Sequence, residues 1–210
     1  MERSELYMVV RDSLLVELAK IGDKNVPVSI LNRHIFLSRA DVIKLFGAGY
    51  QLRPVKEMSQ SGQFACEEKI TLIGPGGTIA DVRVIGPECQ QTQVAVSFTD
   101  AQQLGIKPIV RMPGSLLGTP GIRVSGPAGI ISLHSGVIIP ARHMHMSEEQ
   151  AAAYQLKDGD TVKIRKKGMQ SAAFDDVIVC TGKNQRIEVH FNTDDGTSAG
   201  IICGEIVEII

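Results

Sequence analysis

The sequence predicts a mainly β protein made of two small β-barrel domains related by duplication, with short capping helices and an N-terminal amphipathic helix. Three observations lead to this fold class. The 210 residues include 21 glycines and nine prolines, which recur at intervals typical of short strands joined by tight turns. Ten short strand patterns accompany few helical ones, which favours barrels or sandwiches. Two segments of the chain repeat each other, which indicates duplication of one barrel unit.

The first predicted element is a helix over residues 4–21, which Ser4 could cap and Gly22 could end. Its apolar residues recur at helical spacing opposite a polar face. One interpretation is a helix packed on its own body or in a homodimer, and the other is a detachable tail that docks on a partner. The apolar face comprises Tyr7, Val10, Leu14, Leu18 and Ile21, and the polar face comprises Asp12, Ser13, Glu17 and Lys20.

Beyond the polar residues 23–25, short strands alternate with glycine- and proline-rich turns. Short helices are predicted over 39–46, 99–104 and 148–154, with Ser38 and Ser147 as N-caps of the first and last. The predicted strands cover residues 26–30, 69–73, 79–85, 93–96, 122–125, 130–133, 136–139, 161–164, 176–180 and 186–191.

The internal repeat is clearest in two hexapeptides. Residues 33–38 read RHIFLS and residues 142–147 read RHMHMS, and each precedes a predicted capped helix. The turns at 74–77 and 126–129 also resemble each other. Both lack the spacing and the Lys-Ser/Thr ending of a phosphate-binding P-loop, so we interpret them as hairpin turns.

Composition excludes several classes of function. The net charge is −1, no basic stripe is present, and aromatic residues make up only 4% of the chain, so nucleic acid is not expected as a partner. No stretch reaches the ~18 apolar residues of a membrane-spanning helix, and acidic residues interrupt any secretory signal. The cysteines form no C-x-x-C pair, which predicts reduced thiols in the cytoplasm; they are Cys66, Cys89, Cys180 and Cys203.

Three of the five histidines form a candidate metal site. His143 and His145 are two residues apart, which places both imidazoles on one face of a strand. His190 lies on the face opposite to Ile187 and Val189, as a third ligand would. Three imidazoles with one open position are common at catalytic zinc. The alternative is three unrelated surface or hydrogen-bonded histidines, which is how we interpret His134.

Seven motifs then combine into a specific pattern that covers nearly the whole chain. They lie at residues 32–38, 62–67, 86–94, 99–101, 117–121, 142–146 and 190–194. With these motifs the chain resembles the PduL-type phosphotransacylases (phosphate propanoyltransferases) of bacterial microcompartments. The resemblance implies transfer of an acyl group between coenzyme A and phosphate, with two zinc ions between two β-barrels.

The resemblance also implies a domain layout and a location. Residues 33–140 would form the first barrel, and residues 23–32 with 141–210 the second, which the strand at 26–30 crosses over to complete. Residues 1–22 would be the targeting helix, with residues 4–21 contacting the microcompartment shell or core enzymes. The expected location is the cytoplasm, inside a bacterial microcompartment.

One of the two implied metal sites is incomplete. Of the implied second ligand set only His34 is present, because Phe36 stands at a histidine position and Ala95 at a glutamate position. Cys89 stands where the family has a phosphate-binding arginine, and Phe98 replaces a second arginine. The sequence therefore predicts one zinc ion, at His143, His145 and His190, and identifies no catalytic residue.

The implied coenzyme A positions match in part. Lys56, Arg83 and Ile85 fit the positions that contact the nucleotide, whereas Thr197 stands at an asparagine position and Leu31 at a serine position. These residues keep acyl-CoA as the expected substrate.

Two main functional hypotheses follow from the resemblance. The first is an impaired phosphotransacylase that converts a short acyl-CoA and phosphate into acyl phosphate and coenzyme A, with Arg33, Arg111 or Arg142 neutralising phosphate. The second is an inactive paralogue, a zinc-stabilised binding or assembly component that forms a homodimer or pairs with an active paralogue. A zinc-dependent hydrolase is a weaker alternative, because no paired general base is evident.

Overall fold

The computed structural model describes residues 3–107, 109–168 and 171–210. The elements in chain order are α1 (Arg3–Lys20), β1 (Asn25–Leu31), β2 (His34–Ser38), α2 (Arg39–Phe46), β3 (Pro54–Glu57), β4 (Phe64–Ile73), β5 (Thr78–Cys89), β6 (Gln93–Ala95), α3 (Phe98–Leu104), β7 (Val110–Arg111), β8 (Ile122–Ser125), β9 (Ile130–Leu133), β10 (Val137–Pro140), β11 (His143–Met146), α4 (Glu148–Tyr154), β12 (Thr161–Lys166), β13 (Ala172–Thr181), β14 (Glu188–Asn192), α5 (Thr193–Ala199) and β15 (Ile206–Ile209). The prediction of a mainly β fold is confirmed.

The chain divides into two compact units. Unit 1 contains the chain up to Leu31 and from Arg142 to Ile210, and unit 2 contains Asn32–Ala141. Unit 1 is a closed barrel with the strand order β1-β14-β11-β13-β12-β15. Unit 2 is a curled nine-stranded sheet with the order β7-β10-β6-β2-β5-β4-β8-β9, in which β3 also pairs with β4.

The same pairing pattern occurs in both units, as duplication requires. In unit 1, β11 is parallel to β13 and antiparallel to β14, and β14 is parallel to β1. In unit 2, β2 is parallel to β5 and antiparallel to β6, and β6 is parallel to β10. Because the pattern of pairing fixes which positions face each other, residues of β2 and β6 can be matched to residues of β11 and β14.

Serine caps begin the short helices where the sequence predicts them. The hydroxyls of Ser38 and Ser147 accept hydrogen bonds from the backbone N–H groups of Asp41 and Gln150, so both predicted N-caps are confirmed. Asn192 caps α5 through the N–H groups of Asp194 and Asp195. Each capped helix directly follows a strand, which fixes the end of that strand in the fold.

The two Gly-Pro turns close hairpins, as predicted. The N–H of Gly74 donates to the carbonyl of Gly77, and the N–H of Gly126 donates to the carbonyl of Gly129, each at 2.9 Å. Each turn packs on the end of a helix. A Cβ at Gly74 would lie 2.1 Å from the Leu104 carbonyl oxygen, and one at Gly126 would lie 2.6 Å from that of Leu45. The helix ends therefore require glycine at both turns.

Helix α1 packs on unit 1 through a face that differs from the one inferred from its sequence. Leu15 and Ala19 are buried in the unit 1 core, and the Tyr154 hydroxyl donates to the Leu15 carbonyl at 3.4 Å. Tyr7, Val10 and Leu14 are instead 68%, 58% and 58% exposed. The helix begins at Arg3 and ends at Lys20, so Ser4 lies inside its first turn and Ile21 lies beyond its end. No helix of the described residues is long and apolar enough to cross a membrane.

Candidate metal centre

Strands β11 and β14 of unit 1 bring the three predicted histidines together. His143 and His190 face each other across the antiparallel pair, and His145 lies two residues further on the same face. The three ring centroids are 4.7–5.0 Å apart, and one ligand atom from each residue lies within 4.8 Å of the others. Met144 and Met146 point the other way and are fully buried, which anchors β11 in the core.

His145 has the protonation state that a metal ligand needs. His143 and His190 are 2% and 7% exposed. Burial, followed by the charge of His190, lowers the pKa of His145 to about 4. His145 is therefore neutral at physiological pH, and its Nδ1 atom is buried without a hydrogen-bond partner among the described residues. A neutral imidazole with an unsatisfied nitrogen fits the requirement of a zinc ligand.

The carboxyl group of Glu188 contacts the ring of His190. Glu188 is 7% exposed, and its Oε2 atom is 2.9 Å from Nε2 of His190. The sequence reasoning missed this residue. The signal that could have identified it is its spacing, because Glu188 precedes His190 by two residues and so shares its face of β14.

Arg142 connects the strand of His143 to the helix that follows His190. Its Nη1 donates to both carboxylate oxygens of Asp176 at 2.7 and 2.8 Å, and its Nη2 donates to Asp195 at 2.5 Å. The guanidinium also lies over the ring of Phe174, 4.8 Å from its centroid. These contacts pair the guanidinium with two carboxylates, one near the start of α5.

The other two candidate cations differ in how they are engaged. Arg33 forms an ion pair of 2.8 Å with Asp100, whose side chain is 2% exposed. Arg33 and Asp100 occupy the positions in unit 2 that Arg142 and Asp195 occupy in unit 1, immediately before β2 and near the start of α3. Arg111 is exposed and donates to the carbonyl of Val110 at 3.0 Å. Arg33 is therefore paired with a buried carboxylate, whereas the guanidinium of Arg111 contacts a backbone carbonyl.

Unit 2 has strand positions that match those of the three histidines. His34 faces Ala95 across β2 and β6 in the same way that His143 faces His190. Phe36 lies two residues after His34, at the position of His145. The rings of His34 and Phe36 meet edge-on, with centroids 5.4 Å apart, and Ala95 is 3% exposed. The three positions therefore hold one imidazole, one phenyl ring and one methyl group.

Cys89 and Phe98 also leave unit 2 without positive charge at the expected positions. The Cys89 thiol donates to the Gln91 carbonyl at 2.9 Å. Burial raises the pKa of this thiol, so the neutral form predominates at neutral pH. Cys89 therefore supplies no positive charge at this position. Phe98 begins α3 and is 48% exposed.

The positions expected to contact coenzyme A fall in both units. In unit 2, Ala65 of β4 pairs with Lys56 on one side and with Ile85 on the other, so these positions lie in one row of the sheet. Arg83 is two residues before Ile85, and its Nη1 donates to the Cys66 carbonyl at 2.8 Å. Thr197 is exposed on α5 of unit 1, and Leu31 ends β1.

Comparison with known proteins identifies the family. A family model described as phosphate propanoyltransferase matches residues 27–202. A phosphate propanoyltransferase of Thermotoga maritima is 46% identical over 87% of this chain and 88% of its own. A Leptotrichia buccalis protein of the same name is 38% identical over 97% of both chains. One from Shewanella putrefaciens is 40% identical over 90% of both. Since these matches span most of the barrel, the sheet and the histidine site, the chain belongs to the phosphate propanoyltransferase family.

Proposed function

We propose that the chain transfers a short acyl group, propanoyl or acetyl, between coenzyme A and inorganic phosphate, at a reduced rate and with one bound zinc ion. The observation that carries this proposal is the convergence of His143, His145 and His190 within 4.8 Å in a member of the phosphate propanoyltransferase family. Three imidazoles and an open fourth position favour zinc over magnesium or calcium, which prefer oxygen ligands.

The proposed reaction forms one bond and breaks another. A phosphate oxygen attacks the thioester carbonyl carbon, the carbon–sulfur bond breaks, and the acyl phosphate and the coenzyme A thiolate separate. The thiolate then takes up the proton that the attacking hydrogen phosphate gives up. A zinc ion held by the three histidines would act as a Lewis acid on an oxygen of a reactant. Around it, Arg142 keeps β11 joined to α5, and Glu188 contacts His190.

The reduced rate is expected from the electrostatics of unit 2. Phosphate carries multiple negative charges, and fixed positive groups stabilise it most strongly where water is excluded. Phe36 and Ala95 provide no metal ligand, and Cys89 is a neutral thiol hydrogen-bonded to Gln91. Loss of one well-placed electrostatic partner costs ~10²–10³ in rate, so the combined losses should reduce turnover strongly, although such effects are not additive.

A second candidate function is an inactive binding or assembly component of a bacterial microcompartment. The observation that favours it is the exposed apolar side of α1, where Leu6, Tyr7, Val10 and Leu14 are 47–68% exposed. Residues 4–21 could contact the shell, a core enzyme, a second copy or an active paralogue through this side. In that role the three-histidine site would hold a structural zinc ion.

Release of free coenzyme A distinguishes the two candidates. Purified protein, with its zinc content measured in parallel, would be mixed with propanoyl-CoA and phosphate while the free thiol is followed. We expect slow, phosphate-dependent release that is lost in His143→Ala. The triple variant Phe36→His, Ala95→Glu, Cys89→Arg should raise both zinc content and rate. If the wild-type protein releases no coenzyme A, the assembly function is the candidate that remains. Fast release would contradict the predicted impairment.

A further inference from the structure

Glu188 is a buried acid at the histidine site for which the reaction described above gives no step. It faces His145 across β11 and β14 and lies two residues before His190, so it shares the face that carries the three imidazoles. Its side chain is 9% exposed. Burying a carboxylate is costly unless it is paired and hydrogen-bonded, and the contact with His190 supplies one such hydrogen bond.

The contact determines which nitrogen of His190 carries a proton. An ionised Glu188 only accepts hydrogen bonds, and its 2.9 Å contact through Oε2 then places the proton of a neutral His190 on Nε2. In the neutral imidazole, Nδ1 then keeps its lone pair and is the nitrogen that can bind a cation. At metal sites, a ligating histidine commonly donates its other N–H to a carboxylate in this manner.

We propose that Glu188 is a positioning residue of the metal centre, which fixes the tautomer and the ring orientation of His190 so that Nδ1 is presented to a divalent cation. This inference rests on the proposed zinc centre. Glu188 acts through His190 and does not touch the reacting groups. By holding a ring that would otherwise rotate about its side-chain bonds, the carboxylate lowers the entropy lost when the ion binds.

Glu188 also interacts electrostatically with a residue of the N-terminal helix. Asp12 of α1 is largely buried and forms a 2.7 Å ion pair with Arg11. Burial raises the pKa of Asp12, while the charges of Arg11 and Arg186 lower it and that of Glu188 raises it. Asp12 is therefore electrostatically coupled to Arg186 and Glu188, and α1 contributes charge to the surroundings of the positioning carboxylate.

The test compares zinc binding by the full chain with Glu188 intact and replaced. Glu188→Gln keeps the shape of the side chain and removes its charge, and Glu149→Gln makes the same change at an exposed position of α4 in the same unit. Zinc affinity would be measured by competition with a chromogenic chelator. We expect Glu188→Gln to weaken it by about 10–100-fold, the usual effect of removing such a partner, and Glu149→Gln to leave it unchanged.

Two spectroscopic measurements separate positioning from direct ligation and from a general folding effect. Long-range ¹H–¹⁵N spectra of the zinc-free protein should show His190 protonated at Nε2. At saturation, the visible spectrum of the cobalt(II) form should be the same in the wild-type protein and in Glu188→Gln, because the ligands are the same. A changed cobalt spectrum would mean that Glu188 is itself a ligand and would overturn the proposal, as would protonation of His190 at Nδ1.

The remaining outcomes distinguish this inference from the proposed function. If Glu188→Gln does not fold, Glu188→Asp, which shortens the reach by one methylene, should weaken zinc binding in the same direction. An affinity within twofold of wild type in either folded variant would overturn the positioning role and leave the zinc centre intact. Absence of zinc from the wild-type protein would overturn both. Tight zinc binding without phosphate-dependent release of coenzyme A would overturn the proposed activity alone.

Discussion

At the scale of single residues, the matching positions of the two units differ in whether they can bind a metal ion. Phe36 on β2 and His145 on β11 occupy matching positions, but only His145 offers a lone pair to a metal ion. Phe36 instead packs its ring against His34. Together with Ala95, it places apolar side chains where unit 1 has two histidines, while the strands keep their pairing.

Asp12 provides a pH-dependent prediction at the same scale. Burial raises the pKa of its carboxyl above the ordinary value of 3.8. A group whose pKa is raised on folding stabilises the protein fully below the ordinary value, and this stabilisation is lost as pH rises through the folded value. Asp12→Asn should therefore be more stable than the wild-type protein near neutral pH, and the difference should shrink on acidification.

Urea unfolding at a series of pH values measures this effect. Glu5→Gln is the control, since it removes an acid at an exposed position of the same helix. A lower free energy of unfolding for Asp12→Asn near neutral pH would show that attraction to Arg11 and Arg186 outweighs the cost of burying the carboxylate.

At the scale of elements, the matched register of the two strand pairs should allow a second three-histidine site to be built in unit 2. His34 faces Ala95 as His143 faces His190. The double variant Phe36→His, Ala95→His would therefore place three imidazoles on one face of β2 and β6. We expect the zinc content to rise from about one to about two ions per chain, because three histidines suffice for a zinc site.

Zinc analysis by mass spectrometry after dialysis is the measurement. Phe36→His alone is the control, because it supplies two histidines and should not retain a second ion through dialysis. A double variant that folds but still holds one ion would show that the geometry of β2 and β6 differs from that of β11 and β14 at these positions.

Helix α1 yields a second prediction at this scale. Leu15 is 6% exposed in the unit 1 core, whereas its neighbour Leu14 is 58% exposed. Leu15→Ala removes buried methyl and methylene groups and should lower the free energy of unfolding by about 2–3 kcal/mol, near the lower end for buried leucines. Leu14→Ala should change it by less than about 0.5 kcal/mol.

Thermal and urea unfolding of the two variants provide the comparison. Equal stability of Leu14→Ala and Leu15→Ala would show that α1 does not pack on the barrel in solution. That outcome would agree with the alternative interpretation of α1 as a detachable tail.

The sequence predicted the elements that have strong local signals. The caps at Ser38 and Ser147 and the two Gly-Pro turns were found because each depends on a few neighbouring residues. The face of α1 was not, because Leu15 and Ala19 are apolar residues outside the predicted stripe, and they are the ones that pack in the unit 1 core. Helix α5 was missed because its sequence, TDDGTSA, contains poor helix formers and is stabilised by the Asn192 cap.

The site was predictable to a similar extent. The spacing of His143 and His145 revealed that they share a face, since it is a property of one strand. The contacts of Arg142 with Asp176 and Asp195 could not be read in this way, because their partners are 34 and 53 residues away. Strands β3 and β7 were missed as well, since all their residues are exposed and show no alternation.

At the scale of the whole molecule, unit 1 is assembled from both sides of unit 2 in the sequence. Strand β1 pairs in parallel with β14 and antiparallel with β15, and so closes the barrel. Unit 2, in contrast, is one continuous segment from Asn32 to Ala141. The duplicated pairing pattern therefore exists in one copy that is continuous in sequence and one that is interrupted.

This interruption has a consequence for synthesis of the chain on the ribosome. After β1 ends at Leu31, its partner β14 begins at Glu188, so 188 − 31 = 157 further positions must be translated before the two can pair. At about 5–20 residues per second this takes roughly 8–30 s. Unit 2 can fold during that interval, while β1 remains an unpaired strand, which is prone to aggregation. A chain truncated after residue 150 should therefore protect residues 32–141 from protease and leave residues 25–31 cleavable, and equal protection of both would contradict this order of folding.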